Sequence, residues 1–153
     1  MNLRAGDIFA SGADVLVIPV NTVAVAGAGL ALEAKQRWPR WHRDYWGHCK
    51  TTSFRAGDWI VHPPEVADRP RLVSFATKAH WSNPSRIQWI AQGLPTLAEV
   101  MTQIRPGSIA IPALGCGRGG LAWVDVRPLI EAAAECMEAV GITVLVYEPE
   151  KKR

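Results

Sequence analysis

The sequence lacks the features of secreted, membrane and disulfide-rich proteins. No apolar run approaches the ~20 residues that a membrane-spanning helix needs, and residues 1–7 contain no apolar core of a signal peptide. Only three cysteines occur in 153 residues, an odd number without the spacing of a disulfide framework. We therefore expect one cytoplasmic domain over residues 1–153, with no contact to a membrane.

The sequence also lacks the motifs of several enzyme classes. No glycine-rich loop continues into Gly-Lys-Ser/Thr, and Gly27 and Gly29 come without the third glycine and the later acid of a dinucleotide fingerprint. A P-loop NTPase and a nicotinamide dehydrogenase are therefore disfavoured. The Gly-x-Ser-x-Gly elbow of serine hydrolases is missing, and the histidines and cysteines do not have zinc-ligand spacing. We expect neither a metal nor a cofactor.

Two loops of small residues follow two apolar runs. Residues 14–21 are almost continuously aliphatic, which predicts a central parallel strand. This strand should deform or end near Asn21, because Pro19 cannot donate to a ladder. Residues 108–121 start as a strand and then place four glycines within six positions. Such a loop can hold a phosphate with backbone N–H groups, or it can be a tight connection that needs glycine.

The order of periodic segments predicts an α/β sandwich with a mixed, mostly parallel sheet. Strands and helices follow one another as two strands, helices, two strands, a helix, a strand, a helix and a strand. Residues 57–62 and 71–78 should pair as a hairpin. Ser85 should be the N-cap of a long helix that bends or splits at Pro95 and ends at Gly107.

Three candidate site features follow predicted strand ends. They are Asn21, Lys78 and the loop at 115–120, and they should meet in one cleft because ligands bind beyond the carboxyl ends of parallel strands. Asn21 could hold a ribose hydroxyl or a base, or it could form an Asx-turn. Lys78 could act as a base or an amine nucleophile, or it could be a solvated lysine at a strand end.

Other polar residues also allow two interpretations. Asp7 could accept a hydrogen bond from an adenine amino group, or it could cap a turn or helix. His80 could be an acid–base group or a structural histidine, and Cys116 should pack under its loop. The net charge of +3 is compatible with an anionic ligand. Some of the seven tryptophans could stack on bases if they are exposed.

Taken together, these residues resemble a macrodomain along essentially the whole chain. The resemblance rests on the strings GDIF at 6–9, VIPVNT at 17–22, GAGLA at 27–31, IAIPALGCG at 109–117 and VLVY at 144–147. It implies a three-layer α/β/α module that binds ADP-ribose. Asp7 would read the adenine, with Tyr147 nearby, and Asn21 would face the distal ribose. The implied ADP-ribose-binding residues are Asp7, Ile8, Asn21, Thr22, Gly27, Ala28, Gly29, Leu30, Gly115, Cys116, Gly117, Arg118, Gly119, Gly120, Leu121 and Tyr147.

Within macrodomains, the strings FATKAHW at 75–81, PSR at 84–86 and GCGRGGL at 115–121 are similar to the DarG family of DNA ADP-ribosyl glycohydrolases. That resemblance implies removal of ADP-ribose from a DNA base, typically thymidine, with Lys78 as the catalytic lysine. His80, Trp81 and Arg86 would contact the base or the DNA. A related eukaryotic glycohydrolase carries an aspartate where this chain has Gly119, which argues against action on protein carboxylate esters.

The resemblance also implies partners. They are ADP-ribose, ADP-ribosylated single-stranded DNA and a DarT-like ADP-ribosyltransferase toxin that this antitoxin would oppose as a monomer. DarG proteins carry a further toxin-binding region, so the chain is expected to be an isolated catalytic domain or a short relative. The alternatives are a non-catalytic ADP-ribose reader, a protein-ester or O-acyl-ADP-ribose hydrolase, and a DNA-binding module without ADP-ribose affinity.

Overall fold

The computed structural model describes residues 1–150, which form a three-layer α/β/α fold with two helices on each face of a six-stranded sheet. The strands are β1 (Asn2–Arg4), β2 (Val15–Asn21), β3 (Trp59–Val61), β4 (Arg71–Lys78), β5 (Ser108–Ile111) and β6 (Thr143–Tyr147). The helices are α1 (Gly29–Arg37), α2 (Pro39–Thr51), α3 (Ile87–Ile104) and α4 (Trp123–Glu138). This architecture confirms the predicted fold class.

Strand β2 lies inside the sheet because both of its faces are apolar. Val15 and Val17 pack in the core that includes α3 and α4, whereas Leu16 and Ile18 pack in the core that includes α1 and α2. Successive side chains of a strand point to opposite faces, so one apolar run supplies both cores. The prediction of a central parallel strand is confirmed, since β2 pairs in parallel with both β4 and β5.

The strands are arranged in the order β1-β6-β5-β2-β4-β3, and the short edge strand β3 is antiparallel to β4. The predicted hairpin is therefore correct. The register of β2 against β4 shifts between Val20 and Asn21. The predicted deformation near Asn21 is thus confirmed, and it lies where the strand enters the candidate site.

Helix α3 differs from the prediction at both ends. Its N-cap is Arg86 rather than Ser85, and it ends at Ile104 with Arg105 as the left-handed C-cap before Gly107 is reached. It is continuous through Pro95, so the predicted split is absent, and the predicted bend stays a prediction. A proline inside a helix costs about 3 kcal/mol. The helix persists because it buries several large apolar side chains, each contributing about 1.5–3 kcal/mol. No helix among residues 1–150 is long and apolar enough to cross a membrane.

Candidate active site

The carboxyl ends of β2 and β4 bring two predicted site residues side by side. Asn21 is the last residue of β2 and Lys78 the last residue of β4, and they are direct partners in the parallel register. The Thr22 hydroxyl then donates to the Ala79 carbonyl at 2.7 Å, which ties together the two chain segments leaving the strands. The loop that follows β5 leaves the same edge, because β5 is the other parallel neighbour of β2. The structure thus brings the three predicted features to one edge of the sheet.

The Asn21 side chain is buried and shapes the loop that follows it. Its Oδ1 accepts hydrogen bonds from the backbone N–H groups of Val23 at 3.1 Å and Val25 at 3.3 Å, and its Nδ2 donates to the Val25 carbonyl at 2.8 Å. The Tyr45 hydroxyl donates towards the Asn21 backbone and side-chain oxygens at 2.7 and 3.0 Å. Burial raises the pKa of Tyr45, so this hydroxyl stays protonated. The Asx-turn interpretation is thus correct, and the contact of Asn21 with a ribose stays a prediction.

The ammonium group of Lys78 lies at the carboxyl end of β4. The half-buried side chain donates from Nζ to the Trp81 carbonyl at 3.1 Å, a contact across three residues of its own loop. Among residues 1–150 it forms no ion pair with a carboxylate. A lysine with two further N–H positions and no carboxylate partner can bind an anion, transfer a proton or attack an electrophilic carbon.

The loop after β5 folds back on itself through its glycines. Gly115 and Gly120 have φ of +74° and +78°, a region that favours glycine. The Leu121 N–H donates to the Gly115 carbonyl at 2.9 Å, which closes the loop. Cys116 is half-buried, and burial raises the pKa of its thiol to about 11, so it stays a thiol at neutral pH. Gly117 and Arg118 are exposed at the tip of the loop.

Ser85 lies beneath this loop rather than at a helix start. Its N–H donates to the Gly119 carbonyl at 3.0 Å, and its buried hydroxyl has no hydrogen-bond partner among the described residues. A Cβ built on Gly119 would overlap the Ser85 hydroxyl and would lie 2.5 Å from the Gly115 carbonyl oxygen. The backbone at Gly119 therefore has no room for any side chain.

The first small-residue loop leads into the N-terminus of α1. Gly29 has φ of +58° and is the first helical residue, and the preceding N-cap, Ala28, offers no side-chain hydrogen bond. The first N–H groups of a helix lack intrahelical partners and carry partial positive charge, so they attract anions. Gly27 is exposed, and Leu30 packs partly against the core. In the Gly115–Leu121 loop, the N–H groups of Cys116, Gly120 and Leu121 donate to carbonyls of the loop or of Ala113. The N–H groups of residues 117–119 have no partner among the described residues, so these and the first N–H groups of α1 are the candidate donors at this sheet edge.

The residues predicted to hold an adenine lie at the far end of that edge. The Asp7 carboxylate accepts a hydrogen bond from the Phe9 N–H at 2.9 Å and caps the short 3-10 helix Ile8–Ala10. Ile8 is buried in the core against which Tyr147, the last residue of β6, also packs. The capping interpretation of Asp7 is therefore correct, while its exposed carboxylate leaves the adenine contact a prediction.

The residues predicted to contact DNA differ in how exposed they are near Lys78. Trp81 is 56% exposed and its ring centroid lies 5.2 Å from that of His80, whose Nδ1 is 2.7 Å from the Ser82 hydroxyl. Arg86 places its guanidinium 5.7 Å from the centroid of the Trp89 ring. Trp81 thus offers an open aromatic face next to the lysine, and Arg86 is held at an indole one helical turn into α3.

A buried hydrogen-bond network, which the sequence spacing did not reveal, links α2 to strand β4. The Trp41 indole N–H donates to the Ser74 hydroxyl at 3.0 Å, Ser74 lies 2.6 Å from Nε2 of His62, and Nδ1 of His62 lies 2.6 Å from the Asp44 carboxylate. Every group has a partner when His62 is neutral with its proton on Nδ1, because the Ser74 hydroxyl then donates to Nε2 and Nδ1 donates to the Asp44 carboxylate. Burial lowers the pKa of His62, and the nearby Asp44 opposes this effect. Although it has the composition of a catalytic triad, the network is structural, since Ser74 and His62 are fully buried.

A cleft elsewhere in the fold does not extend the site. A cleft of about 570 Å³ runs along β3 and is lined by residues that include His48, Asp58 and Trp59, but by none of the predicted ADP-ribose residues. We therefore assign the site from the convergence of strand ends rather than from cleft size. Within residues 1–150, no three His, Cys, Asp or Glu side chains are grouped as metal ligands.

Known proteins resemble this chain in both sequence and fold. A scan against protein-family models finds no match. The solved macrodomain of Thermus aquaticus DarG is 36% identical with a TM-score of 0.88, and the match covers 97% of each chain. The structure of Thermosipho africanus DarTG in complex with ADP-ribose is 36% identical with a TM-score of 0.87, over 99% of this chain and 43% of that one.

A curated Thermus aquaticus protein named DNA ADP-ribosyl glycohydrolase is also similar. It is 37% identical over 145 residues, which make up 94% of this chain and 40% of that protein. The chain thus spans about two fifths of the length of the curated relatives that it matches.

Proposed function

The chain belongs to the macrodomain family, within its DarG branch, and from that premise we propose that it hydrolyses the N-glycosidic bond between ADP-ribose and a DNA base. The observation that carries the proposal is the position of Lys78. Its amine has no carboxylate partner among the described residues and lies in register with Asn21, at the edge where two loops offer backbone donors. The name of the curated Thermus aquaticus relative supports the same reaction.

The two loops are suited to hold the diphosphate of ADP-ribose. The N-terminus of α1 at Gly29 leaves its first N–H groups without intrahelical partners, and in the closed loop the N–H groups of residues 117–119 have no partner among the described residues. Such groups can bind an anion without a charged side chain. Such preorganised donors position an anion and stabilise charge that develops near it. Asp7 would then accept from the adenine amino group at one end, and Lys78 would meet the distal ribose at the other.

Lys78 is the proposed catalytic group at the anomeric carbon. In one route its neutral amine attacks C1 of the distal ribose, the bond from C1 to the base nitrogen breaks, and the base leaves with a proton. The ribose ring of the lysine adduct then opens, as the bond from C1 to the ring oxygen breaks and that oxygen takes up the proton lost by the amine, which gives an imine. Water hydrolyses the imine and releases ADP-ribose and the free amine. In the other route Lys78 transfers a proton at the distal ribose while water attacks C1. Reductive trapping with borohydride labels Lys78 only in the first route.

The test of the proposed function is Lys78→Ala assayed on ADP-ribosylated single-stranded DNA. Loss of a positioned acid–base or nucleophilic group should lower kcat by about 10²–10⁴-fold. Calorimetry should show that ADP-ribose still binds. Arg105→Ala, which removes a cation on the opposite face of the sheet at the end of α3, should keep the wild-type kcat.

Two results would contradict the assignment. Turnover by Lys78→Ala near the wild-type rate would show that Lys78 is not a catalytic group. ADP-ribose binding without any turnover by the wild-type protein would make the domain a reader. An ester hydrolase of the lysine–aspartate type is disfavoured because Gly119 has neither the acid nor the space for one.

The finer parts of the proposal concern substrate, partner and compartment. We propose thymidine as the modified base, which parallel assays on strands that differ only in the modified base would test. The fusion of transferase and glycohydrolase named in Thermosipho africanus supports a DarT-like toxin as partner. Three cysteines without a disulfide fit the reducing cytoplasm, and we propose that the domain acts there as a monomer.

A further inference from the structure

Helix α2 carries an exposed tryptophan between two exposed cations. Arg43, Trp46 and Lys50 are three and four residues apart, so they are neighbours on one side of the helix. We call these three residues the α2 strip. Trp46 is 49% exposed, and the Lys50 ammonium lies 5.7 Å from the centroid of its ring. An indole and a cation are thus presented to solvent at the same place.

The strip lies in the most basic part of the chain. Residues 35–50 contain five of the seventeen Lys and Arg residues and one of the fourteen Asp and Glu residues, so they carry +4. Since the whole chain carries +3, the rest of it carries −1. Within residues 1–150, whose charges sum to zero, residues 35–50 are therefore a distinct basic segment.

The cations of the strip are not engaged by carboxylates. Within residues 1–150, neither Arg43 nor Lys50 takes part in an ion pair, whereas Arg37 on the neighbouring helix is paired with Glu33. The single acid of α2, Asp44, is directed to the buried His62. A polyanion approaching the strip would meet unpaired positive charge.

The helix that carries the strip contacts the end of β2 and the loop after it. Tyr45, next to Trp46 in the chain, donates to Asn21 at the end of β2. Cys49, three residues after Trp46, lies against the Ala24 backbone in the loop that Asn21 shapes. Helix α2 is therefore fixed to the loop that Asn21 shapes, and the strip lies on the exposed side of the same helix.

We propose that the α2 strip binds the single DNA strand that extends from the modified nucleotide, with a base stacked on Trp46 and phosphates at Arg43 and Lys50. The inference rests on the proposed function and adds to it a second contact region for the same substrate. Strand-binding proteins combine aromatic platforms with cations that follow the backbone. The strip offers both, whereas the two small-residue loops of the site are proposed to hold the ADP-ribose moiety.

The test distinguishes contacts with the DNA strand from contacts with the ADP-ribose moiety. Trp46→Ala and the double variant Arg43→Glu/Lys50→Glu are assayed on an ADP-ribosylated strand of about 16 nucleotides and on the ADP-ribosylated nucleoside alone. For the strand, we expect KM to rise about fivefold or more with Trp46→Ala and kcat to stay unchanged. For the nucleoside, both constants should match the wild type. Trp46→Phe should retain most of the affinity, and Arg105→Glu is the charge-reversal control on the other face of the sheet.

Binding of an unmodified strand of the same length tests the strip without catalysis. Each cation in contact with single-stranded DNA contributes about 0.7 to the slope of log K against log salt. The double reversal should therefore flatten that slope by about 1.4. Equal KM values and equal salt slopes for variants and wild type would overturn the proposal that the α2 strip binds the strand. If the wild type turned over no DNA substrate while the salt slope still depended on Arg43 and Lys50, the proposed function would fail and the strip would stand.

Discussion

Replacing Gly119 by alanine tests whether the second glycine loop is closed by packing. The added Cβ would lie 2.5 Å from the Gly115 carbonyl oxygen and 2.9 Å from the Ser85 Cβ, and it would overlap the Ser85 hydroxyl. The hydroxyl can rotate away, but the carbonyl belongs to the backbone that closes the loop. The loop must therefore open or shift by several tenths of an ångström.

The expected cost is that of overpacking a tight site, about 1–3 kcal/mol. For a chain of this size each kcal/mol lowers the melting temperature by roughly 2–4 °C, so Gly119→Ala should melt about 2–12 °C below the wild type. Calorimetry with ADP-ribose should show weaker binding, because the displaced loop supplies proposed phosphate donors. Ser85→Gly in the same chain should restore part of the loss, since it removes two of the three close contacts.

Gly117→Ala is the matched control for this experiment. Gly117 lies two residues away in the same loop, its φ is not positive, and a Cβ there would meet nothing within 4 Å. Its melting temperature should equal or slightly exceed that of the wild type, because alanine restricts the unfolded chain. If Gly119→Ala were as stable as Gly117→Ala and bound ADP-ribose equally well, the close packing of Gly119 on Ser85 would not govern the loop.

Two further predictions concern the support of the site. Because burial holds the pKa of His62 below its usual value of 6.5, the unfolded chain takes up a proton first, and the free energy of unfolding should fall as pH drops below about 6.5. Urea titrations at several pH values should show this loss in the wild type and a flatter profile in His62→Gln; parallel profiles would contradict it. Asn21→Ala should destabilise the fold by about 1–3 kcal/mol through unsatisfied loop N–H groups, against a smaller loss for Thr22→Ala in the same titration. Equal losses for these two variants would mean that the Asn21 amide does not organise its loop.

The convergence of Asn21 and Lys78 could be predicted because its causes are local. Each residue directly follows an apolar run that is recognisable as a strand, and the carboxyl ends of parallel strands meet at one edge. The central place of β2 was equally readable, since an uninterrupted aliphatic run has to be covered on both faces. The chemical roles assigned to the site residues remain predictions, because they depend on a ligand rather than on chain folding.

Ser85 and the buried network show where such reasoning ends. Ser85 has the residue type and position of an N-cap, yet tertiary contact with Gly119 determines its surroundings. Asp44, His62 and Ser74 are separated by 18 and 12 residues, so no periodicity relates them. The spacing of histidines can suggest a metal site, but it does not show which histidine is buried beside a serine and a carboxylate. In α2, the fully buried Trp41 and Tyr45 form the inward face.

The distribution of charge has a consequence for how the protein meets its substrate. Fourteen cationic and fourteen anionic side chains fall within residues 1–150, and the +4 of residues 35–50 is balanced by −4 elsewhere in that range. Residues 1–150 therefore have no formal net charge, but their charges are separated and form an electric dipole. A nearby polyanion exerts a torque on such a body and turns its basic end forward. Because the Debye length is about 8 Å at physiological ionic strength, this alignment acts only during the final approach. The net charge of +3 on the whole chain adds an attraction that salt screens over the same distance.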